Sequence, residues 1–308
     1  MDADSNEVRV LKARDARLDV GRPLVVGIVN ATPDSFSDGG ARSPSAWIEN
    51  GLESYEAGAA IVEVGGESNV SNRPPVAAAE EIGRVVPVIE ALVGAGAVVA
   101  VDTHRVETAM AALAAGASFI NDIAGLRDPR MLEVCAESGA GVVLMHTRTP
   151  PKQSLWDDEL YPQGVGADLL EFFEERLAAL AAAGIAPDRV VLDPGPDFAK
   201  TPRQTVAALR ELEELRRFGC PLMLAVSRKD FVGALTGRRP RDRGAGTFAA
   251  LAAGLRRGGR LLRVHDVAGT VDFLRVWGAL EEGDEVPVEL RIAEEIRREA
   301  PADALDPA

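Results

Sequence analysis

The sequence predicts an α/β fold, a single (β/α)8 barrel of the TIM type. Three observations carry that expectation. Short apolar runs alternate with amphipathic helical patterns eight times in roughly 280 residues, which is the repeat of a parallel barrel. The first run, LVVGIV after Pro23, is apolar on both faces, as a strand covered on both sides must be. The rival architecture, a doubly wound open sheet, carries a G-x-G-x-x-G turn between its first strand and helix, and that turn is absent. At 308 residues, with 46% hydrophobic and 27% charged residues, the chain has the length and composition of one such soluble domain.

Residues 1–23 are polar with weak alternation and read as an N-terminal arm or a short hairpin. The first barrel strand spans 24–30 and runs into a polar, breaker-rich loop. Ser43 is a candidate N-cap for the next helix, with Pro44 at its first position. Strands follow at 60–65, 98–102, 118–121, 141–146, 189–193, 221–226 and 261–265. The intervening helices are expected near 80–93, 106–115, 131–138, 166–183 and 202–217. A helical pattern over 228–257 is broken by the basic segment 237–246, and a last helix covers 269–281. The barrel thus spans 24–281. Residues 282–308 form an acidic extension with one amphipathic segment near 288–299.

Net charge is −14, which argues against a nucleic-acid partner. No apolar run reaches membrane-spanning length and no secretion-type segment opens the chain, so a cytoplasmic protein is expected. Cys135 and Cys220 lie far apart in apolar segments and read as buried thiols in a reducing compartment. The three histidines share no metal-ligand spacing.

Function is read from the residues that close each strand. Asn30, the Gly65-Gly66-Glu67 turn, Asp102, Asn121-Asp122, His146, Asp193, Ser227-Arg228-Lys229, Arg263 and His265 all fall at strand ends. A barrel brings these ends to one rim, where its active sites lie. Singly, each has a plain reading as a helix cap or a turn former; together they describe a shared site. Asp102, Asn121 and Asp193 suit a flat nitrogen heterocycle, since a carboxylate accepts two parallel hydrogen bonds. Asn30, Arg263 and His265 suit an oxyanion such as a phosphate, and Lys229 reaches either.

The motifs GIVNATPDSFSDGG (27–40), GGES (65–68), VDT (101–103), INDIAGL (120–126), LMH (144–146), DPGPDFAK (193–200), SRK (227–229) and RVHDV (263–267), in this order, resemble dihydropteroate synthase. The resemblance implies condensation of a pterin-methyl diphosphate with 4-aminobenzoate, with loss of diphosphate, in folate biosynthesis. It implies Mg²⁺ as cofactor and a homodimer. Asp102, Asn121, Asp193, Lys229 and Arg263 would hold the pterin, and Phe198 would border the acceptor. Asn30 would hold Mg²⁺ and, with Asn69, Arg263 and His265, the diphosphate. Lys229, Arg263 and His265 would form the catalytic set.

Three positions depart from the family pattern. The Thr-Arg-Pro-Gly after GGES is replaced: an ungapped reading puts Val70 in place of the loop arginine, and a local shift puts Arg73 there. Asp197 stands where a glycine is usual, and Asp230 follows Lys229 where serine is common. In the family that last position lies at a helix start near the carboxylate of 4-aminobenzoate; an Asp there reads plainly as a first-turn residue favoured by the helix dipole, and functionally as a charge that would repel an anion. All three touch the second loop or the acceptor side. The resemblance therefore also accommodates a pterin-binding paralogue with altered or lost acceptor activity. Arg263 and His265 favour a diphosphate substrate over methyl transfer from a methylated pterin, which a similar barrel serves.

Overall fold

The computed structural model describes residues 8–32, 43–68, 74–153, 155–157 and 159–298. Its strands β3 (Leu24–Asn30), β4 (Ile61–Gly65), β5 (Val99–Asp102), β6 (Phe119–Asp122), β7 (Gly141–Met145), β8 (Val190–Asp193), β9 (Leu222–Leu224) and β10 (Gly259–Val264) close into one parallel barrel, β10 pairing with both β3 and β9. The expected TIM barrel is the observed fold. Most of its strands are buried along their whole length, which is why they read as unbroken apolar runs.

The helices are α1 (Pro44–Glu56), α2 (Ala78–Gly94), α3 (Val106–Ala114), α4 (Pro129–Ser138), α5 (Val165–Ala182), α6 (Pro202–Arg210), α7 (Leu212–Leu215), α8 (Asp230–Thr236), α9 (Gly244–Leu255) and α10 (Val267–Trp277). Ser43 caps α1 as expected, its hydroxyl accepting from the Ala46 N–H at 3.3 Å. The single helix expected over 202–217 is instead α6, α7 and a 3₁₀ turn at Arg216–Phe218.

The N-terminal segment forms a hairpin, β1 (Val10–Ala13) with β2 (Ala16–Asp19). Its Leu11 and Ala13, together with Val20, join the barrel-interior cluster of Val26, Ile61, Ala100, Phe119, Val143, Val191, Met223 and Leu261. Arg14 ties the hairpin to the loops preceding β6 and β7, donating to the Leu113 and Ala117 carbonyls at 2.7 and 3.0 Å and from its backbone to Gly139 at 2.7 Å. The hairpin thus seals the face opposite the strand C-termini. Phe119 fills the interior next to it, and burial of such a ring contributes about 1.5–3 kcal/mol. Gly141 makes room for it: a Cβ there would lie 2.3 Å from the Phe119 ring.

The chain divides into two compact units, Met1–Val271 and Asp272–Ala308. In the second, Arg275 pairs with Asp272 at 3.0 Å and the Trp277 indole donates to Glu282 at 3.3 Å. The amphipathic segment expected near 288–299 is not a helix among the described residues; only a 3₁₀ turn at Glu294–Ile296 forms. Val288 is 91% exposed, and a helix this short does not form without an apolar partner. Cys135 and Cys220 are free and buried, and burial pushes both thiols up to about 12.

Candidate active site

Strand parity builds the site. Ile61, Ala100, Phe119, Val191 and Leu261 point into the barrel as part of its core. Side chains of a strand repeat every two residues. One step up the same face stand Glu63, Asp102, Asn121, Asp193 and Arg263, all at the C-terminal rim. Asn30 ends β3 on the face of Val26 and pairs in register with Gly65.

These groups form one buried network. The Arg263 Nε donates to Glu63 Oε1 at 2.6 Å, and its Nη2 donates to Asp102 Oδ2 at 2.9 Å and also meets the Glu63 carboxylate. Glu63 Oε2 accepts from Asn121 Nδ2 at 3.0 Å. Burial alone would lower the Arg263 pKa, but Glu63 and Asp102 outweigh it and hold the guanidinium above its ordinary value. Asp193 is pushed the other way: burial raises its pKa, against the opposing pull of the Gly195 N–H, Lys229 and Arg263. The Asn121 Oδ1 is buried and accepts no hydrogen bond among the described residues. An unpaired buried acceptor costs about 1–3 kcal/mol.

Lys229 and Phe198 face each other on the neighbouring loops, the ammonium 4.4 Å from the ring centroid. Burial lowers the Lys229 pKa, with Asp197 the largest opposing charge. His265 Nδ1 lies 2.9 Å from Ser227 Oγ, which itself accepts from the His265 backbone N–H at 3.3 Å. Burial, with Arg228, Arg263 and Lys229 nearby, pushes His265 down to about 3. It is therefore neutral at pH 7, beside the charged Arg263.

Asn69, Val70 and Arg73 lie outside the described residues. Their stems are anchored: Glu67 accepts from the Val76 N–H at 2.8 Å and from Arg105 at 2.7 Å, and Lys152 donates to the Ser68 carbonyl at 2.8 Å. Among the described residues no three His, Cys, Asp or Glu side chains gather as a metal cage.

The strand-end reading needs two corrections. His146 and Asp122 have the opposite parity and point away from the interior. His146 packs edge-on against Phe172 with ring centroids 4.9 Å apart, and Asp122 accepts from the Ala124 and Leu126 backbone N–H groups. Two residues were missed. Glu63 sits at the centre of the network, and its signal was a lone carboxylate inside the apolar run AIVEVG, where burial demands a partner. Lys200, 1% exposed, lies behind the β8 loop. Its ammonium donates to His146 Nδ1 at 2.8 Å and to the carbonyls of Gly195 and Phe198 at 3.0 and 3.1 Å. His146 Nε2 in turn donates to Asp168 at 2.7 Å. Burial pushes Lys200 down to about 7 and His146 to about 3. Gly195 (φ 63) permits this closeness: a Cβ there would meet the His146 carbonyl oxygen at 2.1 Å.

A barrel rim with heterocycle acceptors on one side and cationic and N–H donors beside them defines a heterocycle-binding enzyme. The model of the family described as "Pterin binding enzyme" matches residues 26–265. The dihydropteroate synthase of Neisseria meningitidis serogroup C is 40% identical over 272 residues, covering 86% of this chain and 95% of the relative. That of Escherichia coli K12 is 38% identical over 268 residues, covering 86% and 94%. The Xanthomonas albilineans dihydropteroate synthase with 4-aminobenzoic acid superposes with a TM-score of 0.82 at 41% identity, covering 91% of this chain and all of that one. The same enzyme with 7,8-dihydropteroate gives 0.77 at 38%, with equal coverage. The chain belongs to the dihydropteroate synthase family of pterin-binding enzymes.

Proposed function

We infer that the protein is a transferase that condenses 6-hydroxymethyl-7,8-dihydropterin diphosphate with 4-aminobenzoate, giving 7,8-dihydropteroate and diphosphate in folate biosynthesis. One observation carries the reading: Asp193, the unpaired Asn121 oxygen and the Glu63–Arg263–Asp102 pairs meet at the rim of a barrel of this family. Asp102, Asn121 and Asp193 accept from the amino and ring N–H groups of the pterin. Arg263, His265 and Lys229 face the leaving diphosphate, with Asn30 and Asn69 completing its contacts. Fixed donors aimed at the oxygens where charge grows lower the barrier to departure.

The methylene C–O bond breaks, diphosphate takes the electron pair, and a C–N bond forms to the arylamine, which then loses one proton. A neutral aniline is already a nucleophile at pH 7, so the site needs no general base. The reading includes Mg²⁺ held by Asn30, which when bound neutralises diphosphate charge. It also includes a homodimer and a cytoplasmic location; free buried thiols fit a reducing compartment.

The test is turnover of purified protein with the pterin diphosphate, Mg²⁺ and labelled 4-aminobenzoate. Formation of labelled dihydropteroate that is lost in Lys229→Ala supports the reading. Tight pterin binding without product would sink it. Light scattering of the eluted protein tests the dimer.

A further inference from the structure

We propose that Asp197 is a positioning residue for the acceptor side: it fastens the loop carrying Phe198 to the first turn of α8, directly after Lys229. The Asp197 carboxylate accepts from the backbone N–H of Asp230 at 2.5 Å and from that of Phe231 at 3.3 Å. Its own backbone N–H donates to Thr205 Oγ1 at 3.1 Å, and that hydroxyl donates back to the carboxylate at 3.3 Å. One side chain thus ties β8's loop, α6 and α8 together. Lys229 and Phe198 flank this tie and meet at 4.4 Å.

The backbone around the pair is unusual. Asp197 (φ 67), Ala199 (φ 48) and Arg228 (φ 57) are all left-handed, a region that non-glycine residues occupy only when their surroundings hold them there. Each end of the loop has its own anchor. Asp193 is set by the Gly195 N–H at 2.8 Å, and Lys200 holds the Gly195 and Phe198 carbonyls. α8 is held from its other side by Arg243, which donates to Asp230 and to the Arg228 carbonyl, each at 2.8 Å. Asp197 carries hydrogen bonds to both bodies. Its loss would leave the strand-borne groups in place and release the distance between Phe198 and Lys229.

The inference rests on the synthase reading for the identity of the acceptor, so its test has an arm that does not use turnover. Asp197→Gly accepts the left-handed φ and removes the carboxylate; Asp197→Asn keeps one acceptor oxygen. In Asp197→Gly the KM for 4-aminobenzoate is expected to rise about tenfold, with kcat and the Kd for the pterin diphosphate changed by less than about threefold. Asp197→Asn should fall between Asp197→Gly and wild type. Amide exchange at Asp230 and Phe231 should quicken in Asp197→Gly while that at Gly195 stays unchanged. An unchanged acceptor KM, or a loss of pterin affinity as large as that of the acceptor, would overturn the positioning role. Unchanged exchange at Asp230 and Phe231 would overturn it whatever the turnover.

Discussion

Glu63, Asp102, Asn121, Asp193 and Arg263 stand on barrel strands, whereas Phe198, Lys229 and Asp230 stand on the segments that follow β8 and β9. The first group is placed by ladder hydrogen bonds and strand parity, so its geometry comes with the barrel. The second is placed by side chains: Lys200 beneath, Asp197 across and Arg243 outside. In the strand-borne half, Asp102, Asn121, Asp193 and Arg263 lie within the family motifs. The loop-borne half carries the departures Asp197 and Asp230, and each has become a structural tie. A rigid floor with locally adjusted walls is how a barrel keeps one chemistry while its loops change.

The largest expected effect tests the floor. Glu63→Leu leaves Arg263 without its closest carboxylate and Asn121 Nδ2 without its acceptor. Breaking a buried pair in this way costs about 3–5 kcal/mol, read by urea unfolding. A loss below about 1 kcal/mol would mean that the network does not hold the rim. Lys229→Ala tests the junction of the halves. Turnover should drop on the order of a hundredfold with the unfolding midpoint nearly unchanged; a collapse of stability instead would make Lys229 a structural residue.

A pH series separates the halves further. His265 and His146 are both lowered to about 3 from 6.5. Between those values the unfolded chain binds protons that the folded chain does not, so acid favours unfolding. Stability is therefore expected to fall as pH drops from about 6.5 toward about 3. The fall should be shallower in His265→Asn than in wild type. Identical slopes would show that His265 titrates normally in the fold. The smallest effect lies outside the site: Arg243→Ala should cost about 1 kcal/mol. Its partner Asp230 is 66% exposed, and most of the loss comes from the Arg228 carbonyl. An equal loss of acceptor binding would move Arg243 into the positioning set.

Much of this was legible in the sequence, for physical reasons. The barrel showed because buried parallel strands must be apolar on both faces. Asp102, Asn121, Asp193 and Arg263 showed because polar residues that end such runs have one rim to go to. Parity at the end of a five-residue strand did not show, so His146 was grouped with residues that point the opposite way. Glu63 was hidden inside a strand, where only the cost of burying a lone carboxylate marked it. Lys200 was visible as part of a motif, but its role depends on a chain reversal that brings it under Gly195 and beside His146. Asp197 and Asp230 stood out as departures. The sequence allowed Asp230 two readings, a first-turn helix residue and a repelling charge; the fold places it in the first turn of α8 beside Arg243 and gives Asp197 the N–H groups of that helix.

The most direct test of the strand-built floor is calorimetric binding of 6-hydroxymethyl-7,8-dihydropterin diphosphate to wild-type protein and to Asp193→Asn. The substitution keeps the shape and removes the carboxylate. Wild type should bind, and Asp193→Asn should bind about ten- to a hundredfold more weakly, the worth of charged hydrogen bonds at a buried site. Equal affinity in the two proteins would contradict the placement of the pterin on Asp193 and with it the account of the site.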